Sequence, residues 1–191
     1  MPAEVPLAYR QNPRPIGFEV SYRLAGGRLS VDSGRKEKEI PLGQVGEVRL
    51  TYEARSMMQG AYQTRLRLND GTTVKLSSIS FRSMIDARRQ DQEYGAFVRA
   101  LIDGIARANP AARFVAGKPY VQWLALAALT AASLAGAAFF VWRAATAGAN
   151  TAAILGAAIV AAGVWQLEPM VRLNYPRAFA PDDAPRALLP L

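Results

Sequence analysis

The chain has 191 residues, with 23 Lys and Arg against 15 Asp and Glu, a formal charge of +8, and neither His nor Cys. The missing His and Cys exclude a Cys or His nucleophile, a Ser-His-Asp triad, haem ligation by either residue and nearly every zinc or iron–sulfur centre. At roughly 150 residues per domain the length allows one small soluble domain plus one membrane hairpin. The charge divides in the same way: residues 1–118 carry 19 basic and 12 acidic side chains, whereas 119–142 and 144–167 carry none.

Residues 1–17 read as a Pro-rich arm, broken by Pro2, Pro6, Pro13 and Pro15. The arm has no apolar core segment, so no signal peptide is expected and the domain that follows should stay where it is made. From Phe18 the pattern changes to alternation. Phe18, Val20 and Tyr22 alternate with Glu19, Ser21 and Arg23; Gly26-Gly27 gives a turn, and Leu29 and Val31 open the next run. Val48, Leu50, Tyr52 and Ala54 define the apolar side of a half-buried strand, and the mixed charges on its other side predict cross-strand pairing for its arginines. The run Arg35-Lys36-Glu37-Lys38-Glu39 nearly cancels and fits a solvated strand edge.

Thr64 to Leu76 is the clearest hairpin. A two-residue Asp70-Gly71 loop would set Arg67 opposite Val74 on one face. A three-residue loop, Asn69-Asp70-Gly71, sets Leu66 opposite Val74 and Arg65 opposite Lys75, with Gly71 at the left-handed position such loops favour. Farther on, Tyr94, Phe97, Val98, Leu101, Ile102 and Ile105 fall on one stripe of an amphipathic helix that Asn109-Pro110 ends. That stripe must cover the exposed side of the curved sheet. Asp91 and Glu93 lie in its first turn, where the helix dipole favours negative charge.

The predicted fold class is α+β: a small curved antiparallel sheet or partial barrel over 18–110, closed by one helix, then a transmembrane helical hairpin. The strand meander from Phe18 to about Ser80 with a closing helix from about Arg89 to Ala108 resembles the pleckstrin-homology-like domains of bacterial membrane proteins. The residues that carry the resemblance are Ile40-Pro-Leu-Gly-Gln-Val-Gly-Glu-Val48, the Asn69-Asp70-Gly71 hairpin and the pattern Tyr94-x-x-Phe97-Val98-x-x-Leu101. The resemblance implies a binding or scaffolding module without catalysis. The clustered basic loop with which eukaryotic relatives hold inositol phosphates has no counterpart here.

Residues 119–142 and 144–167 each form a 24-residue uncharged run, and a fully helical run of that length would reach about 36 Å against a hydrocarbon core of about 30 Å. Lys118, Tyr120, Trp123, Trp142, Trp165 and Arg172 stand where membrane-interface anchors belong. Ala145 to Asn150 reads as the turn. Basic residues cluster at the two outer ends and only Arg143 lies near the turn, which predicts a two-pass protein of the bacterial inner membrane with both termini cytoplasmic. Ala128, Ala132 and Gly136 on the first span, and Ala149, Ala153, Gly156 and Gly163 on the second, are the small residues expected to let the helices approach, with docking on a larger membrane complex as the alternative. Neither span has an ionisable residue for a proton or ion path.

The tail, residues 168–191, has five prolines and ends in the apolar Leu188-Leu189-Pro190-Leu191. It reads either as extended and disordered or as docked on its own domain or another subunit. Neither G-x-G-x-x-G nor G-x-x-x-x-G-K-[ST] occurs, and no cofactor or metal is expected. Arg82, Arg88, Arg89, Arg113 and Lys118 are candidates for contact with anionic lipid, a simpler use of the basic charge than nucleic acid. The expected partners are the bilayer and a membrane protein or a second copy. The expected function is a non-enzymatic anchored scaffold. Two alternatives are a lipid-binding or transfer module, recognisable by an apolar cavity under the helix, and a His-independent surface enzyme using Ser77, Ser80 or Ser83 with an acidic partner.

Overall fold

The computed structural model describes residues 7–56, 59–83 and 86–190. Pro2 and Pro6 of the arm and the terminal Leu191 lie outside them. The chain divides into a β-rich unit, residues 1–116 and 177–191, and a helical unit, residues 117–176.

The β-rich unit contains three sheets, and none closes into a barrel among the described residues. Strands β1 (Leu7–Gln11), β2 (Val20–Ala25), β3 (Arg28–Asp32) and β4 (Glu37–Pro41) form an antiparallel four-stranded meander. β1 lies inside the segment read as a Pro-rich arm, where Tyr9 and Gln11 are buried. Gly26 and Gly27, both at positive φ (54° and 72°), make the two-residue turn between β2 and β3. The second sheet has the order β11-β10-β5-β6-β7, built from β5 (Val45–Ser56), β6 (Gln59–Leu68), β7 (Thr73–Ser77), β10 (Arg113–Ala116) and β11 (Arg177–Ala178). Its members are antiparallel except β10, which runs parallel to β5. A two-stranded ribbon of β8 (Ile79–Phe81) and β9 (Ala87–Arg89) is the third.

The β6–β7 hairpin has the three-residue register: Leu66 faces Val74, Arg65 faces Lys75, and Gly71 sits at φ 83°. The cross-strand pairing expected for the β5 arginines takes another form at Arg49, whose guanidinium reaches Glu47 of the same strand at 3.1 Å. Residues two apart on a strand share a face, so the bond is local.

Helix α1 (Asp91–Ala108) buries the predicted stripe: Tyr94, Phe97, Val98, Leu101, Ile102 and Ile105 are each at most 1% exposed. The aromatic rings of Tyr9, Tyr22 and Phe97 lie 5.8–6.4 Å apart, and Tyr94 meets Tyr9 edge-on at 6.1 Å. These rings pack beneath the N-terminal half of the helix, and a cavity of about 550 Å³ lies between its C-terminal half and the first sheet.

β7 ends its sheet, so one side of its backbone faces away from β6. Side chains of the other sheet cap that side. Tyr9 donates to the Ser77 carbonyl at 2.5 Å, and Tyr22 donates to the Lys75 carbonyl at 2.9 Å. The Gln11 amide accepts from the Ser77 N–H at 2.6 Å and donates to the Tyr22 hydroxyl at 2.9 Å. Burial pushes the Tyr22 phenol up to about 12 and raises Tyr9 and Tyr94 as well.

Gln11→Leu strands the buried Ser77 N–H and should cost about 3 kcal/mol in detergent-solubilised full chain, measured by thermal unfolding. The raised phenol values mean that the folded state favours neutral tyrosine, so the associated stability is complete below about pH 10 and is lost as pH rises towards about 12. Near-UV circular dichroism should show this alkaline loss, with a shallower slope in Tyr22→Phe.

Candidate functional site

The helical unit consists of α2 (Tyr120–Thr146) and α3 (Asn150–Leu173), with mean hydropathy 2.1 and 1.6 and no part of either apolar window buried. Both helices are long and apolar enough to cross a membrane. At 1.5 Å per residue α2 is about 40 Å long, and the uncharged part of α3, from Asn150 to Leu167, covers about 27 Å. The turn is shorter than Ala145 to Asn150, because α2 continues through Thr146. Gly148 at φ 77° ends the helix; its N–H reaches the Ala145 carbonyl and the Ala149 N–H reaches that of Ala144, a Schellman cap.

The first six residues of the predicted tail continue α3, with Pro169 inside it. Pro169 has no N–H to donate, but it lies beyond the uncharged stretch, close to the end of the helix.

The seam between the helices differs from the small-residue stripe expected on α2. Ala128, Ala132 and Gly136 are exposed, and a Cβ built on Gly136 meets nothing within 4 Å. The half-buried residues of α2 are instead Trp123, Leu126, Ala127, Thr130, Leu134, Ala137, Val141 and Ala144. Leu126 aside, their spacing alternates between four and three, which keeps a seam facing one partner, whereas a strict four-residue spacing drifts around the helix. On α3 the predicted Ala153, Gly156 and Gly163 do lie in the seam, while Ala149 is exposed in the turn. A Cβ on Gly156 would stand 2.8 Å from Val141 Cγ2, and one on Gly163 3.6 Å from Leu134 Cδ2. Large side chains from α2 thus enter spaces that glycine leaves on α3.

The predicted anchors divide by their partners. Trp123 donates to the Val171 carbonyl at 2.9 Å and meets Tyr175 edge-on at 5.2 Å, so it clamps the base of the hairpin. Tyr120, Trp142 and Trp165 are 62%, 57% and 83% exposed. Trp123 and Trp142 are 19 residues apart, about 28 Å along α2. The Lys118 N–H reaches the Asn174 carbonyl at 3.0 Å, and Arg172 pairs with Glu168 one turn earlier.

In the β-rich unit, exposed Arg82, Arg88 and Arg89 belong to the β8–β9 ribbon and its loop. Arg89 also holds Asp91 at 2.5 Å. Arg113 is exposed on β10, in a different sheet. The three serines accept backbone N–H groups: Ser77 from Ile79 at 3.3 Å, Ser80 from Asn12 at 2.9 Å and Ser83 from Asp86 at 3.1 Å.

The feature that sequence reasoning left open is the tail. β11 pairs with β10, Phe179 packs on Phe114 with ring centroids 5.9 Å apart, and Leu188 and Leu189 are 1% and 0% exposed. The tail is docked on its own domain. Arg99 of α1 donates to the Leu189 carbonyl, and a Cβ on Gly95 would fall 2.0 Å from the Pro190 oxygen. Gly95, an unusual residue on a helix, was the available signal.

No family model, curated protein or solved structure matches the chain.

Gly156→Leu should loosen the hairpin by about 1–3 kcal/mol through overpacking against Val141, whereas Gly136→Leu should leave it unchanged. Unfolding of the full chain in mixed micelles by added SDS distinguishes the two.

Proposed function

We propose that the chain is a non-enzymatic, two-pass protein of the bacterial inner membrane, which presents a cytoplasmic pleckstrin-homology-like domain to a protein partner. It acts as a scaffold or accessory subunit of a larger membrane complex. The observation that carries this reading is the exposed, apolar surface of α2 and α3, which lipid would cover and water would not. The excess of basic residues at the outer ends of the spans supports a cytoplasmic domain. A four-stranded meander, three further antiparallel strands and a closing helix support the pleckstrin-homology-like reading.

Binding is favoured over catalysis by the chemistry available. The chain has no His or Cys, and the hydroxyls of Ser77, Ser80 and Ser83 are each engaged by a backbone N–H. A cavity of about 550 Å³ between the first sheet and the C-terminal half of α1, lined by Leu7, Leu24, Gly27, Gly104 and Arg107, keeps the lipid-binding module as the second reading. The arginines of the β8–β9 ribbon add attraction to an anionic leaflet, about 1 kcal/mol for each residue near the surface.

A chain without cysteine suits thiol mapping. Cysteine placed at exposed Ala147 in the turn should react with an impermeant maleimide from outside intact cells, and cysteine at exposed Ala187 only after permeabilisation. The reverse pattern would overturn the orientation. Mild detergent extraction from native membranes should recover a membrane partner in fixed ratio, and a chain recovered alone would sink the accessory-subunit role.

A further inference from the structure

We infer that the C-terminal tail is a topology latch: it completes the fold of the β-rich unit when α2 and α3 cross the membrane as a pair, and cannot do so when only one of them crosses. The inference rests on the membrane reading above.

β10 lies between β5, to which it runs parallel, and β11, which covers its other edge. β10 precedes the hairpin in the chain and β11 follows it, yet across the edge Val115 pairs with Ala178 and Ala116 with Arg177. Beyond β11 the Phe179 N–H bonds to the Phe114 carbonyl at 3.1 Å, and the chain continues to Leu188 and Leu189, buried to 1% and 0% exposure. Gly95 leaves the space that the Pro190 carbonyl occupies.

These contacts require the tail to be on the same side of the bilayer as β10. If α2 crosses and α3 does not, the tail is stranded on the far side. The edge of β10, the Phe114 ring and the apolar surface beneath Leu188 and Leu189 are then uncovered. Such surfaces are what cellular proteases and chaperones act on. Chains with only one span inserted are thereby distinguished from correct ones by the state of a domain outside the membrane.

The test uses full-length chain in membrane vesicles with cytoplasmic side outward. In V115C/A178C, oxidation should form a disulfide within one chain, seen as a mobility change lost on reduction. Adding A157R/V160R/A161R to block insertion of α3 should abolish that cross-link and shorten the trypsin half-life of the β-rich unit by about tenfold or more. L188D/L189D, which leaves both spans intact, should shorten it similarly, and oxidised V115C/A178C in that background should restore part of the resistance. Undiminished resistance in either the arginine variant or L188D/L189D, or a cross-link that survives the arginines, overturns the latch. A maleimide pattern at Ala147 and Ala187 that denies the spans would overturn the membrane reading separately, while L188D/L189D still reports whether the tail completes the domain.

Discussion

An unpaired sheet edge needs partners for its N–H and C=O groups, and the β-rich unit meets that need at β7 with side chains. Tyr9, Gln11 and Tyr22 reach across from the first sheet and bind Lys75 and Ser77. A backbone ladder at this place would merge the two sheets into one. The side-chain version leaves the two sheets separate but holds them in one relation, because Gln11 satisfies a donor and an acceptor at the same time. The aromatic bodies of Tyr9 and Tyr22 also meet Phe97 of α1, so the same residues that cap the edge form the floor on which the helix rests. Strand edge, core and helix therefore share one set of side chains.

The parts of this arrangement that were legible in the sequence are those with a period. Leu66 and Val74 alternate with charged neighbours, and only one loop length keeps them on a common face, so the register could be read. The stripe from Tyr94 to Ile105 and the uncharged runs of the hairpin are equally periodic. What escaped detection is polar, short or distant. Gln11 is a buried amide in a segment dominated by prolines, and hydrophobic patterning assigns such a residue to solvent. β10 and β11 have four and two residues, too few for any period, and their partners lie far away in the chain.

The helical seam shows a different limit. Small residues are abundant on both helices, so composition alone does not select which of them face inward. Ala128, Ala132 and Gly136 share a spacing that suits close approach, yet the contact is made by Leu134 and Val141 against Gly163 and Gly156. The selection comes from complementarity between helices: glycine on one matters only where the other places bulk.

The base of the hairpin, where Lys118 bonds to Asn174, has a further consequence for how the β-rich unit folds. β10 and β11 are separated by a segment of 60 residues, from Gly117 to Pro176, and closing a flexible loop of that length costs on the order of 4 kcal/mol in chain entropy. Two antiparallel helices that pack first would bring their outer ends together ahead of the β10–β11 pairing. Seam packing between the helices then orders the loop, and the strand pair forms at high effective concentration. A contact of large sequence separation becomes, in kinetic terms, a local one.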